Sequence, residues 1–129
     1  ANRLDYFGRV NEIVDTSLYS LGLIYRAGGR LKDAFLTLLE SIEIRTQLFG
    51  PTSLETAESQ ESAGFTAHQM KELKKANILY KLALETRTTI LGKEHDSTKS
   101  LLKLQRQVYV ELTSKTSSPS KKKKKKKKR

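Results

Sequence analysis

The fold is decided by residues 18–50, LYSLGLIYRAGGRLKDAFLTLLESIEIRTQLFG. This stretch predicts two helices that fold back on each other around Gly28 and Gly29. Small residues stand where the two backbones must approach closely, at Gly22, Ala34 and Ser41. Larger apolar residues are expected to fill the space between the helices: Leu18, Leu21, Tyr25, Leu31, Leu38 and Ile42. The rest of the chain repeats this hairpin, extends it or follows its end.

The sequence aligns with itself when it is shifted by 42 residues. Phe7-Gly8, Phe49-Gly50 and Leu91-Gly92 coincide in that alignment. Further matches in the same register are Gly22 with Gly64, Leu31 with Leu73, Ala34 with Ala76, Ile42 with Leu84, Glu43 with Glu85, and Arg45 with Arg87. A period of this length is typical of solenoids, in which similar supersecondary units stack on one another.

The repeat divides the chain into five segments. Residues 1–9 are interpreted as the end of a preceding repeat, 10–50 as repeat one, 51–92 as repeat two, 93–113 as a C-terminal capping helix, and 114–129 as a tail. Helices are predicted at about 10–27, 31–49, 52–70, 73–91 and 95–113, because apolar residues recur there at spacings of three and four. No segment alternates apolar and polar residues as a strand does. The predicted fold class is therefore all-α, an α-solenoid of antiparallel helix hairpins.

Some details differ between the two repeats. Thr52 with Glu55 matches a capping box at the start of the third helix. Repeat two carries Lys71 in place of the turn glycine, and smaller or polar residues replace large apolar ones at Gln60, Ala63 and Ala67. The second hairpin is therefore expected to pack less tightly or to depend on its neighbours.

The positive charge belongs to the tail rather than to the folded part. Of the 25 basic residues, nine stand at 121–129 and 16 in the rest of the chain, against 14 acidic residues. Like charges at neighbouring positions oppose helix formation and collapse, so residues 114–129 are predicted to be disordered. The chain has no cysteine, which excludes disulfides, thiolate metal sites and cysteine nucleophiles. No apolar run reaches the roughly 18 residues that a membrane span needs.

The repeat resembles the tetratricopeptide repeat, a helix–turn–helix with small and large residues at set positions. The matching residues are Leu18, Leu21, Gly22, Tyr25, Gly29, Leu31, Ala34, Leu38, Ser41 and Ile42. The 42-residue period, the linkers QLFGPTSLETA and TILGKEHDSTK, and the helix endings SIEIR and ALETR are similar to the kinesin light chain variety of this family. The resemblance covers roughly residues 4–112.

This resemblance implies a concave surface, lined by the first helices of successive units, that binds a peptide or a helix of a partner protein. Eight positions fall on that surface: Tyr19, Leu23, Arg26, Glu61, Phe65, His68, Lys103 and Gln107. Aromatic and arginine side chains suit a partner with an apolar anchor and an acidic neighbour, since guanidinium pairs with carboxylate. The alternative is that Leu23 and Phe65 only pack against adjacent helices.

The basic tail attracts anionic lipid, nucleic acid and acidic protein tails such as those of tubulin. Its residues are Lys121, Lys122, Lys123, Lys124, Lys125, Lys126, Lys127, Lys128 and Arg129. A nuclear import receptor could also read the tract, and a purely solubilising tail is the remaining alternative. Phosphorylation of Ser118, which precedes a proline, or of Ser120 would cancel part of the adjacent charge.

Neither catalysis nor cofactor binding is expected. His68 and His95 are distant in sequence and no clustered carboxylate joins them, so no metal site is predicted. His95 is expected to cap or pack against a helix. Gly28-Gly29-Arg30 lacks the spacing of a phosphate-binding loop.

The predicted function is that of a protein-binding scaffold or adaptor in the cytoplasm, with cytoskeletal or ciliary assembly as an analogy from the family. The alternative is a nuclear, nucleic-acid-binding or anionic-surface-binding protein in which the tail dominates. A third alternative is that the array only stacks against further repeats or a second copy of itself.

Overall fold

The computed structural model describes the backbone of residues 3–127 and the side chains of residues 13–114. The chain forms five α-helices: α1 (Arg3–Ala27), α2 (Leu31–Phe49), α3 (Leu54–Gln69), α4 (Leu73–Leu91) and α5 (Asp96–Lys127). Each helix packs against the next, and α1 also contacts α3. We call α1, α3 and α5 the first-type helices, and α2 and α4 the second-type helices. The predicted all-α solenoid of helix hairpins is confirmed, and the described residues contain no strand.

The two hairpin turns share one backbone geometry although their residues differ. Gly29 has a φ of +84°, and Lys71, which stands 42 residues later, has a φ of +67°. In each turn, the amide of the following residue donates to a carbonyl five residues earlier at 2.9 Å. This bond satisfies a carbonyl that the end of the helix would leave free. Lysine therefore holds a left-handed turn that glycine forms with less strain.

Glycines let the helices of each hairpin approach closely. A β-carbon at Gly22 would lie 2.8 Å from the side chain of Leu38, and one at Gly64 would lie 2.9 Å from the ring of Tyr80. Both Leu38 and Tyr80 are fully buried, so neighbouring side chains restrict any adjustment. The predicted close approach at Gly22 is confirmed.

The second hairpin buries its small residues, and the expectation that it packs less tightly or depends on its neighbours stays a prediction. Its small residues are fully buried at Ala57, Ala63, Ala67, Ala76 and Ala83. The space that these residues leave is filled from α4 by Tyr80, which packs directly over Gly64. A large residue on the second-type helix compensates for small ones on the first-type helix.

One residue expected between α1 and α2 lies elsewhere. Leu21 is 38% exposed, whereas Leu38 is fully buried. The 42-residue register explains this exposure. The equivalent of Leu21 in α3 is Ala63, which is fully buried and belongs to the face that packs against α2. Leu21 stands on the corresponding face of α1, on which no helix packs in the described part of the chain.

The start of α1 and the cap of α3 differ from the prediction. α1 begins at Arg3 instead of near residue 10 and continues through Gly8. α3 is capped by Ser53, whose Oγ accepts from the amide of Thr56 at 3.1 Å. The predicted capping box, in which Thr52 pairs with Glu55, is therefore wrong.

α5 is longer than the predicted helix at 95–113, since it spans Asp96–Lys127. His95 precedes it, and the His95 Nδ1 accepts from the amide of Ser97 at 3.1 Å, which confirms a capping role. The side chains of residues 1–12 and 115–129 lie outside the described part of the chain. The assignment of residues 1–9 to a preceding repeat and the disordered tail at 114–129 therefore stay predictions. None of the described helices has the length and apolarity needed to cross a membrane.

Replacing Lys71 by glycine is expected to stabilise the protein. The substitution should raise the free energy of unfolding by roughly 1 kcal/mol, because a left-handed backbone costs a residue with a β-carbon about that much. Urea denaturation measures the change. The reciprocal variant, Gly29→Lys, should lower the free energy of unfolding by a similar amount. A destabilised Lys71→Gly variant would contradict the shared turn geometry.

Candidate functional site

A depression with a volume of about 380 Å³ lies where the first-type helices face one another. We call this depression the groove. Its lining consists of Tyr19, Arg26, Glu58, Glu61, Ser62, Phe65, Arg87 and Leu104. Four of the eight residues predicted for the concave surface, Tyr19, Arg26, Glu61 and Phe65, are thus brought together by α1 and α3.

The other four predicted residues lie outside the lining of the groove. His68 Nε2 is 3.2 Å from both carboxylate oxygens of Glu111, and Gln107 donates to the same carboxylate at 3.4 Å. His68 therefore connects α3 to α5. Leu23 is half-buried and Lys103 is exposed. The role of all eight residues in partner binding stays a prediction.

Hydrogen bonds across the groove hold α1 against α3. The Tyr19 hydroxyl lies 3.0 Å from the Ser62 hydroxyl, and Arg26 Nη1 donates to the Ser62 carbonyl at 3.5 Å. Burial raises the pKa of Tyr19 by more than the hydrogen bond with Ser62 lowers it. The phenol therefore stays neutral at physiological pH and serves as a fixed polar contact at the groove wall.

Arg26 and Phe65 form the open part of the groove. The Arg26 guanidinium carbon lies 4.9 Å from the centre of the Phe65 ring, in cation–π contact. The Phe65 side chain remains 37% exposed. Arg26 makes no ion pair with any carboxylate among the described residues. A positive charge and an aromatic face are therefore available to a ligand at one place.

The other two arginines near the groove are neutralised within the protein. Arg87 forms an ion pair with Glu61 at 2.6 Å. Arg45 lies under the groove, 4.4 Å from the centre of the Tyr19 ring, and pairs with Asp15 at 2.8 Å and with Glu58 at 3.0 Å. Burial alone would lower the pKa of Arg45, but the hydrogen bonds that it donates to these two carboxylates raise the pKa overall. Both guanidinium groups are thus committed to internal contacts.

Four lining residues were not predicted from the sequence: Glu58, Ser62, Arg87 and Leu104. Arg87 belongs to a second-type helix, whereas the prediction considered only first-type helices. The sequence contains a pattern that points to Arg87, because Arg45 and Arg87 match in the 42-residue register and both stand near the end of a helix. A long side chain at that position reaches the neighbouring first-type helix.

The arrangement has the features of a binding site. Its carboxylates pair with arginines, and its hydroxyl groups pair with each other. In the part of the chain with described side chains, no group of three or more His, Cys, Asp or Glu residues could hold a metal ion. What the groove presents to a ligand is one unpaired guanidinium, an exposed aromatic ring and the apolar side chain of Leu104.

The sequence profile described as the tetratricopeptide repeat matches residues 13–89. This region contains most of α1 and α4 and all of α2 and α3, and therefore both hairpins. No curated protein gives a significant match to the chain.

Removing the carboxylate of Asp15 is expected to destabilise the protein. The free energy of unfolding of Asp15→Ala should fall by about 3 kcal/mol, because the buried Arg45 would lose its closest counter-charge. Asp33→Ala is the matched control, since Asp33 pairs with Arg30 at 2.7 Å on the exposed surface. That change should be below about 1 kcal/mol. Equal losses in the two variants, measured by urea denaturation, would contradict a special role for the buried pair.

Proposed function

The chain belongs to the tetratricopeptide repeat family, and we propose that it is a scaffold or adaptor that holds a segment of a partner protein in the groove. Members of this family are typically protein-interaction modules without enzymatic activity. The observation that carries the proposal is the Arg26 guanidinium, which lies over the exposed Phe65 ring and has no carboxylate partner among the described residues.

The groove fits a segment in which an apolar side chain neighbours a single acidic residue. The acidic residue would pair with Arg26, for which guanidinium geometry is well suited. The apolar side chain would pack against Phe65 and Leu104, which both line the groove. Arg45 and Arg87 already have carboxylate partners, so a second acidic residue in the segment would find no free guanidinium there.

We place the array in the kinesin light chain-like type of the family. The support is the 42-residue period and the helix endings SIEIR and ALETR. By analogy with that type, the proposed setting is cytoskeletal or ciliary assembly in the cytoplasm. The basic tail at 121–129, which lies outside the described side chains, would add attraction to a polyanion such as an acidic tubulin tail.

Reversing the charge of Arg26 is expected to abolish recognition of the acidic residue. A peptide selected from a displayed library by the intact chain, with a glutamate beside a leucine or phenylalanine, should bind Arg26→Glu at least about tenfold more weakly. Fluorescence anisotropy of the labelled peptide measures the affinity.

Two controls make this experiment specific. Lys81→Glu makes the same charge reversal at an exposed residue outside the groove lining and should bind as the unchanged chain does. A peptide with lysine in place of its glutamate should regain affinity for Arg26→Glu. Unchanged binding of the original peptide to Arg26→Glu would exclude the groove as its site.

The alternative function depends on the tail. Nine consecutive basic residues at 121–129 favour a nuclear, nucleic-acid-binding or anionic-surface-binding protein, in which the helices would only present the tail. The two functions differ in their response to salt, since a tail that neutralises phosphates or carboxylates loses affinity steeply as salt rises. A groove contact with one ion pair depends on salt much less.

Deleting residues 121–129 is expected to leave the affinity of the groove peptide unchanged within about twofold, because the tail makes no shape-specific contact. The same deletion should abolish binding to a polyanion, with duplex DNA and a polyglutamate tail peptide as the two probes. Anisotropy measured at low and physiological salt gives both affinities. Loss of groove-peptide binding on deletion would favour the tail-dominated function.

A further inference from the structure

The edge of the array that holds the two hairpin turns is basic. Residues 26–33 and 68–75, which contain the turns, carry six basic residues and two acidic ones. The linkers at the opposite ends of the helices, residues 47–56 and 89–98, carry one basic residue and three acidic ones. We call the two turn segments the turn edge and the two linkers the linker edge. The hairpins are therefore polarised in charge along the direction of their helices.

The turn edge offers its positive charge as lysines, because its arginines are already engaged. Arg30 pairs with Asp33 at 2.7 Å and lies 4.5 Å from the centre of the Tyr25 ring. Arg26 lies over Phe65 in the groove. The other cations of the turn edge are exposed and form no ion pair among the described residues: Lys32, Lys71, Lys74 and Lys75. None of these four lysines lines the groove.

The fifth helix leads to the basic tail from the same edge. α5 runs antiparallel to α4, because Thr98 contacts a residue near the end of α4 and Gln105 contacts one near its beginning. Further along α5, Glu111 meets His68 at the end of α3, which is the level of the second turn. The chain passes the turn edge there and continues to the nine basic residues at 121–129. The tail thus follows on the side of the molecule that carries the four lysines.

We propose that the turn edge, through Lys32, Lys71, Lys74 and Lys75, is a docking surface for an anionic lipid membrane, and that the tail continues this surface. Lysine is a flexible point charge without the fixed fork of arginine, so it suits a surface whose charges are not held in one pattern. Each basic residue close to such a surface raises the affinity roughly fivefold. The proposal uses no residue of the groove lining and does not depend on the proposed function.

The turn edge favours lipid over nucleic acid for two reasons. The aromatic rings beside it are covered within the described part of the chain, since Tyr25 lies under Arg30 and the buried Phe35 lies 5.7 Å from the Lys75 ammonium. Bases therefore find no ring on which to stack. The unengaged cations are all lysines, whereas bidentate contacts to single phosphates favour arginine.

The polarity of the hairpins also fixes how the protein meets the membrane. The linker edge carries the exposed acidic residues Glu55, Glu94 and Asp96. An anionic surface repels this edge and attracts the turn edge, so the molecule turns its hairpin turns to the lipid. The helices then stand with their linkers away from the membrane.

Vesicle binding of the full chain tests the proposal. The edge variant replaces the four lysines of the turn edge by glutamine: Lys32→Gln, Lys71→Gln, Lys74→Gln and Lys75→Gln. The control variant removes the same charge from exposed lysines outside the turn edge: Lys81→Gln, Lys93→Gln, Lys99→Gln and Lys103→Gln. Both variants keep the tail, and circular dichroism checks that both are folded.

The probe is a vesicle of phosphatidylcholine with roughly 30% phosphatidylserine, at physiological salt. The edge variant is expected to bind it at least about tenfold more weakly than the unchanged chain, measured by co-sedimentation. The control variant should stay within about threefold of the unchanged chain, because its lost charges lie farther from the lipid and are screened. Vesicles of phosphatidylcholine alone should bind neither.

A second measurement leaves the lysines unchanged and reports the orientation. The chain has no cysteine, so Gly28→Cys and Thr52→Cys each supply one thiol for an environment-sensitive dye, at the turn edge and the linker edge respectively. Both positions are exposed. Addition of the anionic vesicles should increase the fluorescence of the dye at position 28 and leave that of the dye at position 52 unchanged.

Three results would overturn the proposal. The first is equal vesicle binding by the edge and control variants, which would mean that the tail alone is responsible. The second is an equal response of the dyes at positions 28 and 52. The third is a loss of affinity in the edge variant for duplex DNA but not for vesicles, since the turn edge would then bind nucleic acid.

Discussion

The buried guanidinium of Arg45 fixes how the first three helices fit together. It donates to both carboxylate oxygens of Asp15 in α1 and to Glu58 and the Glu55 carbonyl in α3. Ser41, one turn earlier in α2, also donates to Asp15, so its oxygen is left to accept from Ser59. A buried charge is tolerated only when it is paired and hydrogen-bonded. Sliding any of these helices would leave Arg45 or Asp15 buried without its partner, which costs a large amount of free energy. The network therefore selects one register among the many that apolar contacts alone would allow.

The second unit keeps the arginine but loses the carboxylate that orients it. Asp15 is replaced in the register by Ala57, and Tyr19 is replaced by Glu61. Arg87 consequently pairs with Glu61 at the groove wall instead of with a carboxylate beneath it. In the first unit, Arg45 stays below the groove and Tyr19 covers it. These two differences between the repeats place the arginine ion pair in the interior of the first unit and at the groove wall of the second.

This shift determines the charge that the groove presents. Since Glu61 neutralises Arg87 and Asp15 neutralises Arg45, Arg26 is left as the cation that can meet an incoming carboxylate. Its position is held by the Phe65 ring and by the Ser62 carbonyl, neither of which removes its charge. The selectivity proposed for the groove therefore comes from which arginines have internal partners rather than from the number of arginines.

The sequence predicts the elements of this fold better than the contacts between them. The limits of α2 and α4 follow directly from periodicity and from the glycines that end them. The turn at Lys71 is predicted from the register, but its left-handed conformation is not, because tertiary packing imposes that conformation against the local preference of lysine. Arg87 was missed in the groove because its direction depends on whether Asp15 has a counterpart, which is a property of two helices at once. Leu21 was misplaced because its spacing fits two faces of α1 equally well.

The wrong prediction for Leu21 has a physical cause that applies to any stacked array of helices. Each first-type helix buries one side against the second-type helix that follows it and another against the one that precedes it, so its apolar residues occupy more than one face. In α3 both sides are covered, and residues such as Ala57 and Thr66 are fully buried. In α1 only the following helix is present in the described structure, and Ile24 remains 65% exposed. The apolar pattern of α1 therefore resembles that of α3, although only one of its two sides is covered in the described structure.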